Sequence, residues 1–146
     1  MSSASLLNGF IRLHVAVYRG SRGRIGHRVR GAPPILLLDH VGAKTGRRRA
    51  APLGYIRDGE DIVVVASKGG YPHHPAWYHN LMANPHTTIQ IGSRRLPVRA
   101  RAADAAERDR LWPKVVDAHH GYEGYQRRTE RTIPLVILEP RQDGRP

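Results

Sequence analysis

The order of apolar and polar residues predicts one helix at the start of the chain and a basic segment after it. Over residues 1–20, apolar side chains recur at helical spacing, and Gly20 is suited to the position just past a helix end. The predicted inward face consists of Leu6, Leu7, Phe10, Ile11, His14, Val17 and Tyr18. Arginines and glycines alternate over residues 21–30, which predicts a basic loop.

Short apolar runs predict about six strands after that loop. They cover residues 35–40, 50–56, 62–65, 87–91, 96–100 and 133–138. Asp58-Gly59 and Gly92-Ser93 are typical of hairpin turns, so consecutive strands should pair antiparallel. No repeated strand–helix–strand alternation is present, which argues against a doubly wound parallel sheet.

Two further helices are predicted after the first one, which makes two or three helices in all. Residues 76–83 follow Pro75, which suits a helix start. Over residues 103–118, Asp104 is the predicted cap and Pro113 is predicted to kink the helix, with Trp112, Val115 and Val116 facing inward. Residues 122–128 can add one or two turns. The pattern therefore predicts an α+β domain, a mostly antiparallel barrel with helices packed on it.

Composition changes this picture mainly through charge. The 146 residues contain 24 Lys+Arg against 12 Asp+Glu, a net charge of +12, and most of the cations are arginine. Arginine suits phosphate and carboxylate groups, so nucleic acid, an anionic membrane surface and a polyanionic small ligand are candidate partners. The absence of cysteine excludes disulfides, thiolate metal sites and a cysteine nucleophile.

Location follows less directly from the sequence. No apolar run approaches the ~18–20 residues that span a bilayer, and the N-terminus lacks the order of a signal peptide. We therefore expect a cytoplasmic protein. Residues 1–30 join an amphipathic helix to basic residues, so this segment can pack on its own domain or touch an anionic membrane.

Two glycine-bearing basic loops carry the first candidate chemistry. One is Gly42-Ala43-Lys44-Thr45-Gly46-Arg47-Arg48-Arg49, and the other, Ala66-Ser67-Lys68-Gly69-Gly70, follows a buried strand. Adjacent glycines let backbone N–H groups converge on an anion, and the cations add charge-assisted hydrogen bonds. Solvated turns would have the same composition. The spacing is not that of a Walker loop.

The histidines and tyrosines offer weaker candidates. His73, His74, His79 and His86 match no zinc spacing, so no metal site is predicted. Tyr122 and Tyr125 are three residues apart and would share a helical face, where they could stack on a flat ligand or only pack. Few aromatics are available for stacking on bases, so no nucleic-acid partner is expected.

Taken together, these stretches resemble the deazaflavin (coenzyme F420)-dependent nitroreductase family. The resemblance is carried by the Gly42–Gly46 loop with Arg49 and Pro52-Leu53, by Asp58 through Gly70, by Pro75–Leu81 with Ala83-Asn84-Pro85, and by Tyr122, Tyr125 and Arg131–Pro134. It runs from about residue 33 to 140. It implies a split β-barrel, which we place over 31–140. The sequence itself predicts an N-terminal helix and basic loop over 1–30 and a disordered tail over 141–146.

The resemblance also implies roles for individual residues. Cofactor contacts would come from Lys44, Thr45, Arg49, Pro52, Ala66, Ser67, Lys68, Gly69, Gly70, Trp77, Tyr78 and Asn80. Lys44, Arg49 and Lys68 would hold the phosphate and acidic tail. Tyr125, Tyr122 and Ser67 would serve catalysis. Gly54 and His119 stand where nitroreductase-type members often carry aromatics, which favours a quinone or enone acceptor over a bicyclic nitroimidazole.

The activity that follows from the resemblance is hydride transfer from reduced F420 to a small organic acceptor. Two alternatives use the same barrel: a deazaflavin carrier without turnover, and an oxidoreductase that uses flavin mononucleotide. The oligomeric state is not readable from the sequence.

Overall fold

A closed barrel of six antiparallel strands forms the body of the protein in the computed structural model, which describes residues 3–21, 34–67 and 73–141. The strands are β1 (Ile35–Val41), β2 (Arg48–Asp58), β3 (Asp61–Val65), β4 (His86–Ile91), β5 (Arg94–Ala102) and β6 (Leu135–Pro140). Their order around the barrel is β1-β2-β3-β6-β5-β4, and β4 pairs with β1 to close it. The predicted α+β class with a mostly antiparallel barrel is confirmed.

Within these described ranges, four helices pack on the barrel or at its end: α1 (Ser3–Gly20), α2 (Ala76–Ala83), α3 (Ala105–Ala118) and α4 (Gly121–Arg127). Helix α3 begins with a capping box, in which Asp104 accepts from the Glu107 N–H and the Glu107 carboxylate accepts from the Asp104 N–H. The helix continues through Pro113. Its buried residues are Leu111 and Val115, while Trp112 and Val116, also predicted to face inward, are only half-buried.

The barrel wall has an apolar inner and an apolar outer face. Alternate residues of the strands, such as Leu36, Tyr55 and Val64, fill the interior together with Trp77 and Leu81 of α2. The outer face is covered in two places. Helix α1 covers the outer side of β1, and α3 with α4 covers the outer sides of β3 and β6. Part of the outer side of β2 lies between these two covers.

Helix α1 is held on the barrel by Tyr18. Its side chain is fully buried, and its hydroxyl donates to the Ile35 carbonyl at 2.9 Å and accepts from the Gly92 N–H at 2.9 Å. Val15 packs on the same cluster, whereas Val17 is 37% exposed. The predicted inward face was therefore wrong at Val17, because the contact with β1 is centred on Tyr18 and Val15. The side chains of residues 3–8 and 10, part of that prediction, lie outside the described side chains.

The basic loop between β1 and β2 is shorter than predicted. Strand β2 begins at Arg48, because its ladder with β1 continues to the pair Val41–Arg48. The connection therefore comprises residues 42–47, and Gly46 adopts φ 68° there, a conformation that favours glycine. The hairpins predicted at Asp58-Gly59 and Gly92-Ser93 are present.

Candidate functional site

The loop of residues 42–47 is a closed turn whose hydrogen-bonding groups mostly serve the turn itself. The Gly42 N–H donates to the Arg47 carbonyl at 2.9 Å, and the Gly46 N–H donates to the Gly42 carbonyl at 2.8 Å. The Thr45 hydroxyl accepts from the Arg47 N–H at 3.3 Å. A Cβ on Gly42 would approach that hydroxyl oxygen to 2.5 Å, so a larger residue there would require the Thr45 side chain to move. Lys44 is exposed at the tip.

A groove runs beside this loop, between α1, the barrel and the start of α2. Its volume is about 630 Å³. Helix α1 contributes Ile11, Arg12, Val15 and Ala16; the barrel contributes His40 and residues 47–51; and α2 contributes Ala76 and Trp77. We call this space the basic groove, because Arg12, Arg47, Arg48 and Arg49 line it and none of the described residues in its lining is acidic.

A second compartment of about 580 Å³ adjoins the basic groove. The two share Val15, His40, Arg48, Arg49 and Ala50. The residues that line only the second compartment include an acidic one, unlike the described residues of the basic groove. Arg19 and Arg95 each form an ion pair with Asp39 at 3.0 Å. These two arginines are partly neutralised by Asp39, so the stronger positive field belongs to the basic groove.

Asn80 and His40 form a buried polar pair at the end of the barrel beside the groove. The Asn80 side-chain Oδ1 accepts from the Ala43 N–H at 2.9 Å, and its Nδ2 lies 2.9 Å from His40 Nδ1. Burial, and then the charge of Arg49, lower the pKa of His40 from its ordinary value, while Asp39 opposes the shift. The side chain of Asn80 thus contacts the backbone of the basic loop at Ala43.

The end of β3 is held by Arg131. Its guanidinium donates to the Ala66 carbonyl at 3.2 Å and to the Ser67 carbonyl at 2.7 Å, and it lies 2.8 Å from His74 Nδ1. Ala66 and Ser67 are both buried. Arg131 therefore holds the backbone of the first two residues of the second glycine loop.

Tyr122 and Tyr125 lie in an aromatic cluster with His119 on the side of the barrel covered by α3 and α4. The ring centroids of Tyr122 and Tyr125 are 6.0 Å apart, and His119 lies 5.0 Å from Tyr122. Both tyrosines are half-buried against the second apolar cluster. Burial raises the pKa of Tyr122 to about 12, so its phenol keeps its proton near neutral pH.

The outer side of β2 connects the groove with this aromatic cluster. Gly54 is paired with Ile35, and Pro52 is paired with Leu37. Paired residues lie on the same face of a sheet, so Gly54 and Pro52 lie on the outer face, to which Ile35 and Leu37 belong. Gly54 also lines a narrow cleft together with Tyr122. Ala50, Pro52 and Gly54 thus form a strip of small residues, which we call the β2 strip.

The predicted site residues divide into three groups by position. Arg49 and Trp77 line the basic groove, and Asn80 supports the loop beside it. Lys44 is exposed, Thr45 faces into its own turn, Pro52 lies on the β2 strip, and the Tyr78 ring packs 4.8 Å from that of His74. Lys68, Gly69 and Gly70 lie outside the described residues.

Arg12, His40 and Arg131 are among the residues of this region that were not predicted as site residues, as are Arg47 and Arg48 of the basic loop. A polar residue at the end of a buried apolar strand, as His40 is after Leu38, is a signal that could have identified one of them. Arg12 carries no such signal, because it was assigned away from the inward face of α1.

Two absences hold for the described residues. They contain no group of three or more side chains that could hold a metal ion, and none of their helices is long and apolar enough to cross a membrane.

Comparisons with known proteins agree with this fold. The model of the F420H(2)-dependent quinone reductase family matches residues 10–140. An F420H(2)-dependent quinone reductase of Mycobacterium tuberculosis (strain ATCC 25618 / H37Rv) is 50% identical over 135 residues, covering 90% of each chain. A solved F420-H2 dependent reductase (FDR-A) is 42% identical with a TM-score of 0.67, covering 73% of this chain and 94% of that one. A structure described as a domain-swapped dimer is 34% identical with a TM-score of 0.70, covering 94% and 100%.

The closed antiparallel barrel and its similarity to the F420-H2 dependent reductase structure place the chain in the class of split-barrel reductases. More particularly, the chain belongs to the F420H(2)-dependent quinone reductase family. It is an oxidoreductase that uses reduced coenzyme F420, as predicted. The resemblance was therefore right about an F420-dependent reductase but not about the exact family. The family that matches is that of the quinone reductases, not the nitroreductases.

Proposed function

We propose that the basic groove binds the phosphate and acidic tail of F420 and that the chain reduces a quinone. The observation that carries the first part is the convergence of Arg12, Arg47, Arg48 and Arg49 on one groove with no acidic residue in its described lining. Arginine forms bidentate hydrogen bonds with phosphate and carboxylate groups, which are the anionic groups of this cofactor. Lys44, exposed on the adjoining turn, and Lys68 are proposed as further contacts with the anionic tail.

The β2 strip is the proposed platform for the flat ring system. Ala50, Pro52 and Gly54 have small side chains or none, so a planar ring can approach the strand backbone closely. The strip also lies between the groove and the tyrosine cluster, which supports a cofactor that spans both. The residues present therefore fit a long molecule with a flat head and an anionic tail.

When bound, reduced F420 supplies a hydride, because a carbon replaces the flavin N5 in its ring. The protein would contribute orientation, exclusion of water and a hydrogen-bond donor for the oxygen that gains charge. Tyr125 and Tyr122 are the proposed donors, and Ser67 is a proposed further contact at the reacting end. The raised pKa of Tyr122 keeps this donor protonated.

A quinone is the proposed acceptor because the related family and the Mycobacterium tuberculosis relative are named for it. Gly54 and His119 leave the acceptor side without the additional aromatics that the nitroreductase resemblance would require. Enones and nitro compounds are the alternatives to be assayed in parallel.

The decisive experiment is a fluorescence titration of the protein with oxidised F420, with flavin mononucleotide as the competing cofactor. We expect saturable binding of F420 and reduction of a soluble quinone by reduced F420. Binding without turnover of quinone, enone and nitro substrates would instead support a carrier. Preference for flavin mononucleotide would overturn the cofactor assignment for this chain.

Arg49→Gln tests the groove itself. Removing one charged donor to an anion should raise the F420 Kd about ten- to a hundredfold. The control is Arg99→Gln, because Arg99 is exposed on β5, three strands from β2 in either direction around the barrel. Its substitution should change Kd by less than about twofold. Equal effects of the two substitutions would mean that only net charge matters, which contradicts a specific groove.

Contact of residues 1–30 with a membrane is a separate proposal. It is supported by exposed apolar side chains on α1, Leu13 at 61% and Val17 at 37%, and by the basic residues that follow. Sedimentation with anionic vesicles should fall on Leu13→Ser, and Met82→Ser is the matched control because Met82 is 38% exposed on α2. Equal sedimentation of all three proteins would contradict the proposal.

A further inference from the structure

The amide of Asn80 joins two elements that carry the groove. Its Oδ1 accepts from the Ala43 N–H, and its Nδ2 lies 2.9 Å from Nδ1 of His40. A backbone N–H can only donate, so the oxygen of the amide must face Ala43 and the nitrogen must face His40. The orientation of this side chain is therefore determined by the backbone and is not open to a flip.

The same reasoning determines the state of His40. The Asn80 Nδ2 carries only donor hydrogens, so Nδ1 of His40 must accept and cannot carry a proton. The ring proton then resides on Nε2, in the neutral imidazole. A cationic ring would place a hydrogen on Nδ1 opposite the amide hydrogens, and rotating the amide to relieve this would break its bond to Ala43.

The hydrogen bond to Ala43 matters because the turn of residues 42–47 contains Arg47 and leads directly into Arg48 and Arg49, which line the groove. Ala43 is exposed in that turn, while Asn80 and His40 are buried. The turn is thus connected through a buried amide to a ring that lines both compartments. A change at the ring is transmitted to the turn by two hydrogen bonds.

We propose that His40 is a positioning residue of the cofactor site, which in its neutral Nε2–H form holds Asn80 and, through Asn80, the turn of residues 42–47. Protonation of His40 releases the turn and weakens binding of the anionic tail. The effect on binding rests on the proposed role of the basic groove, whereas the state of the ring does not.

The charges around His40 favour the neutral form. Cations on α1, the turn, β2 and β5 line the same compartments as His40, and the carboxylate of Asp39 on β1 opposes their effect. These cations are Arg12 and Arg19 of α1, Arg47 of the turn, Arg48 and Arg49 of β2, and Arg95 of β5. Burial is the largest cause of the lowered pKa, and Arg49 is the next.

The test is an NMR titration of the ¹⁵N-labelled protein without cofactor between pH 8 and pH 5. Long-range ¹H–¹⁵N spectra distinguish the two tautomers and the cation, and His40→Asn identifies the His40 signals by their loss. We expect the Nε2–H tautomer at pH 7, protonation below the ordinary value of about 6.5, and a shift of the Ala43 amide with the same midpoint. An Nδ1–H tautomer, or an Ala43 amide that does not follow His40, would overturn the proposal.

Asn80→Asp provides an independent check on the direction of the bonds. A carboxylate still accepts from the Ala43 N–H but cannot donate to Nδ1, so it should stabilise the protonated ring. The pKa of His40 should then rise above that in the unsubstituted protein, by the rule that an opposite charge favours the charged form. An unchanged or lower pKa would contradict the proposed hydrogen bonds.

Binding completes the test at pH 7.5. His40→Leu removes the acceptor and should raise the F420 Kd about fivefold, while His40→Asn, which places an oxygen near the position of Nδ1, should restore most of the affinity. Equal affinity of the Leu variant and the unsubstituted protein would overturn the positioning role. If the unsubstituted protein does not bind F420, the proposed function fails, and the NMR result still decides the state of His40.

Discussion

The proposed role of Tyr125 as a hydrogen-bond donor can be tested by removing a single oxygen atom, that of its hydroxyl. Its ring is half-buried between Tyr122 and the apolar cluster under α3 and α4, so removal of the hydroxyl leaves the packing in place. We expect Tyr125→Phe to lower kcat for quinone reduction about a hundredfold, the usual scale for a positioned proton donor. The F420 Kd should stay within about twofold, because the proposed tail contacts are on the other side of the β2 strip.

Fluorescence titration and steady-state kinetics on the same preparation would measure both quantities. Tyr122→Phe is the matched variant. A large loss of F420 affinity with Tyr125→Phe would contradict its placement on the acceptor side, and an unchanged kcat would remove it from the chemistry.

At the residue scale, the sequence predicted which side chains carry charge near the groove, but not what each contacts. Arg49 lines the groove, whereas the Thr45 hydroxyl is used within its own turn. Local spacing could not reveal this, because the direction of Thr45 depends on how the turn closes. The partner of Asn80 is His40, which is distant in sequence, and only the packing of α2 against β1 brings them together.

At the scale of elements, the β2–β3 hairpin is tied to α3 by Asp58. Its carboxylate accepts from Arg110 at 2.9 Å and from Lys114 at 3.0 Å. These hydrogen bonds hold the pKa of Asp58 well below its usual range. The contribution to stability is therefore present above the unfolded pKa and is lost as pH falls through the lower folded pKa.

Asp58→Asn should lower the free energy of unfolding at pH 7 by less than about 1 kcal/mol, since the partners are solvent-exposed and screened. The difference from the unsubstituted protein should shrink as pH is lowered below about 4. Urea denaturation at several pH values would measure this difference. The control is Asp109→Asn, because Asp109 is exposed on α3, the helix that carries Arg110 and Lys114. A difference that grows on acidification would contradict the assigned sign.

The positions of the elements were predicted more successfully than their ends. Helix α2 matches the predicted range 76–83, because Pro75 before it and Asn84-Pro85 after it limit it locally. Strand β2 extends beyond its prediction at both ends, because its ladders with β1 and β3 continue past the apolar run. Pairing with a neighbour, which is not encoded in one segment, determines those ends.

At the scale of the whole molecule, Tyr18 connects the N-terminal helix to two strands of the barrel. Tyr18→Phe would leave the Ile35 carbonyl and the Gly92 N–H without their hydroxyl partner. We expect a loss of about 1–3 kcal/mol in unfolding free energy and a Tm lower by several degrees. Calorimetry would measure it, beside Val17→Ala, an exposed change on the same helix. A Tm unchanged by Tyr18→Phe would show that α1 is held by other contacts.

The same substitution bears on the groove, because α1 supplies part of its lining. If α1 loosens, Arg12 and Val15 are no longer held beside Arg48 and Arg49, and F420 binding should weaken with stability. The sequence indicated a cationic protein with a helix at its start, but not that the helix forms a wall of the site. That arrangement depends on long-range contacts of Tyr18.

The strand order has a consequence for the making of the protein. Residues 135–140 form β6, which is inserted between β3 and β5, so the ring of hydrogen bonds cannot close until this late segment has left the ribosome. Until then, β3 and β5 each present an unpaired edge to the crowded interior of the cell. A nascent chain whose residues 135–140 have not yet left the ribosome should therefore be a substrate for chaperones, and the release of these residues should end that dependence.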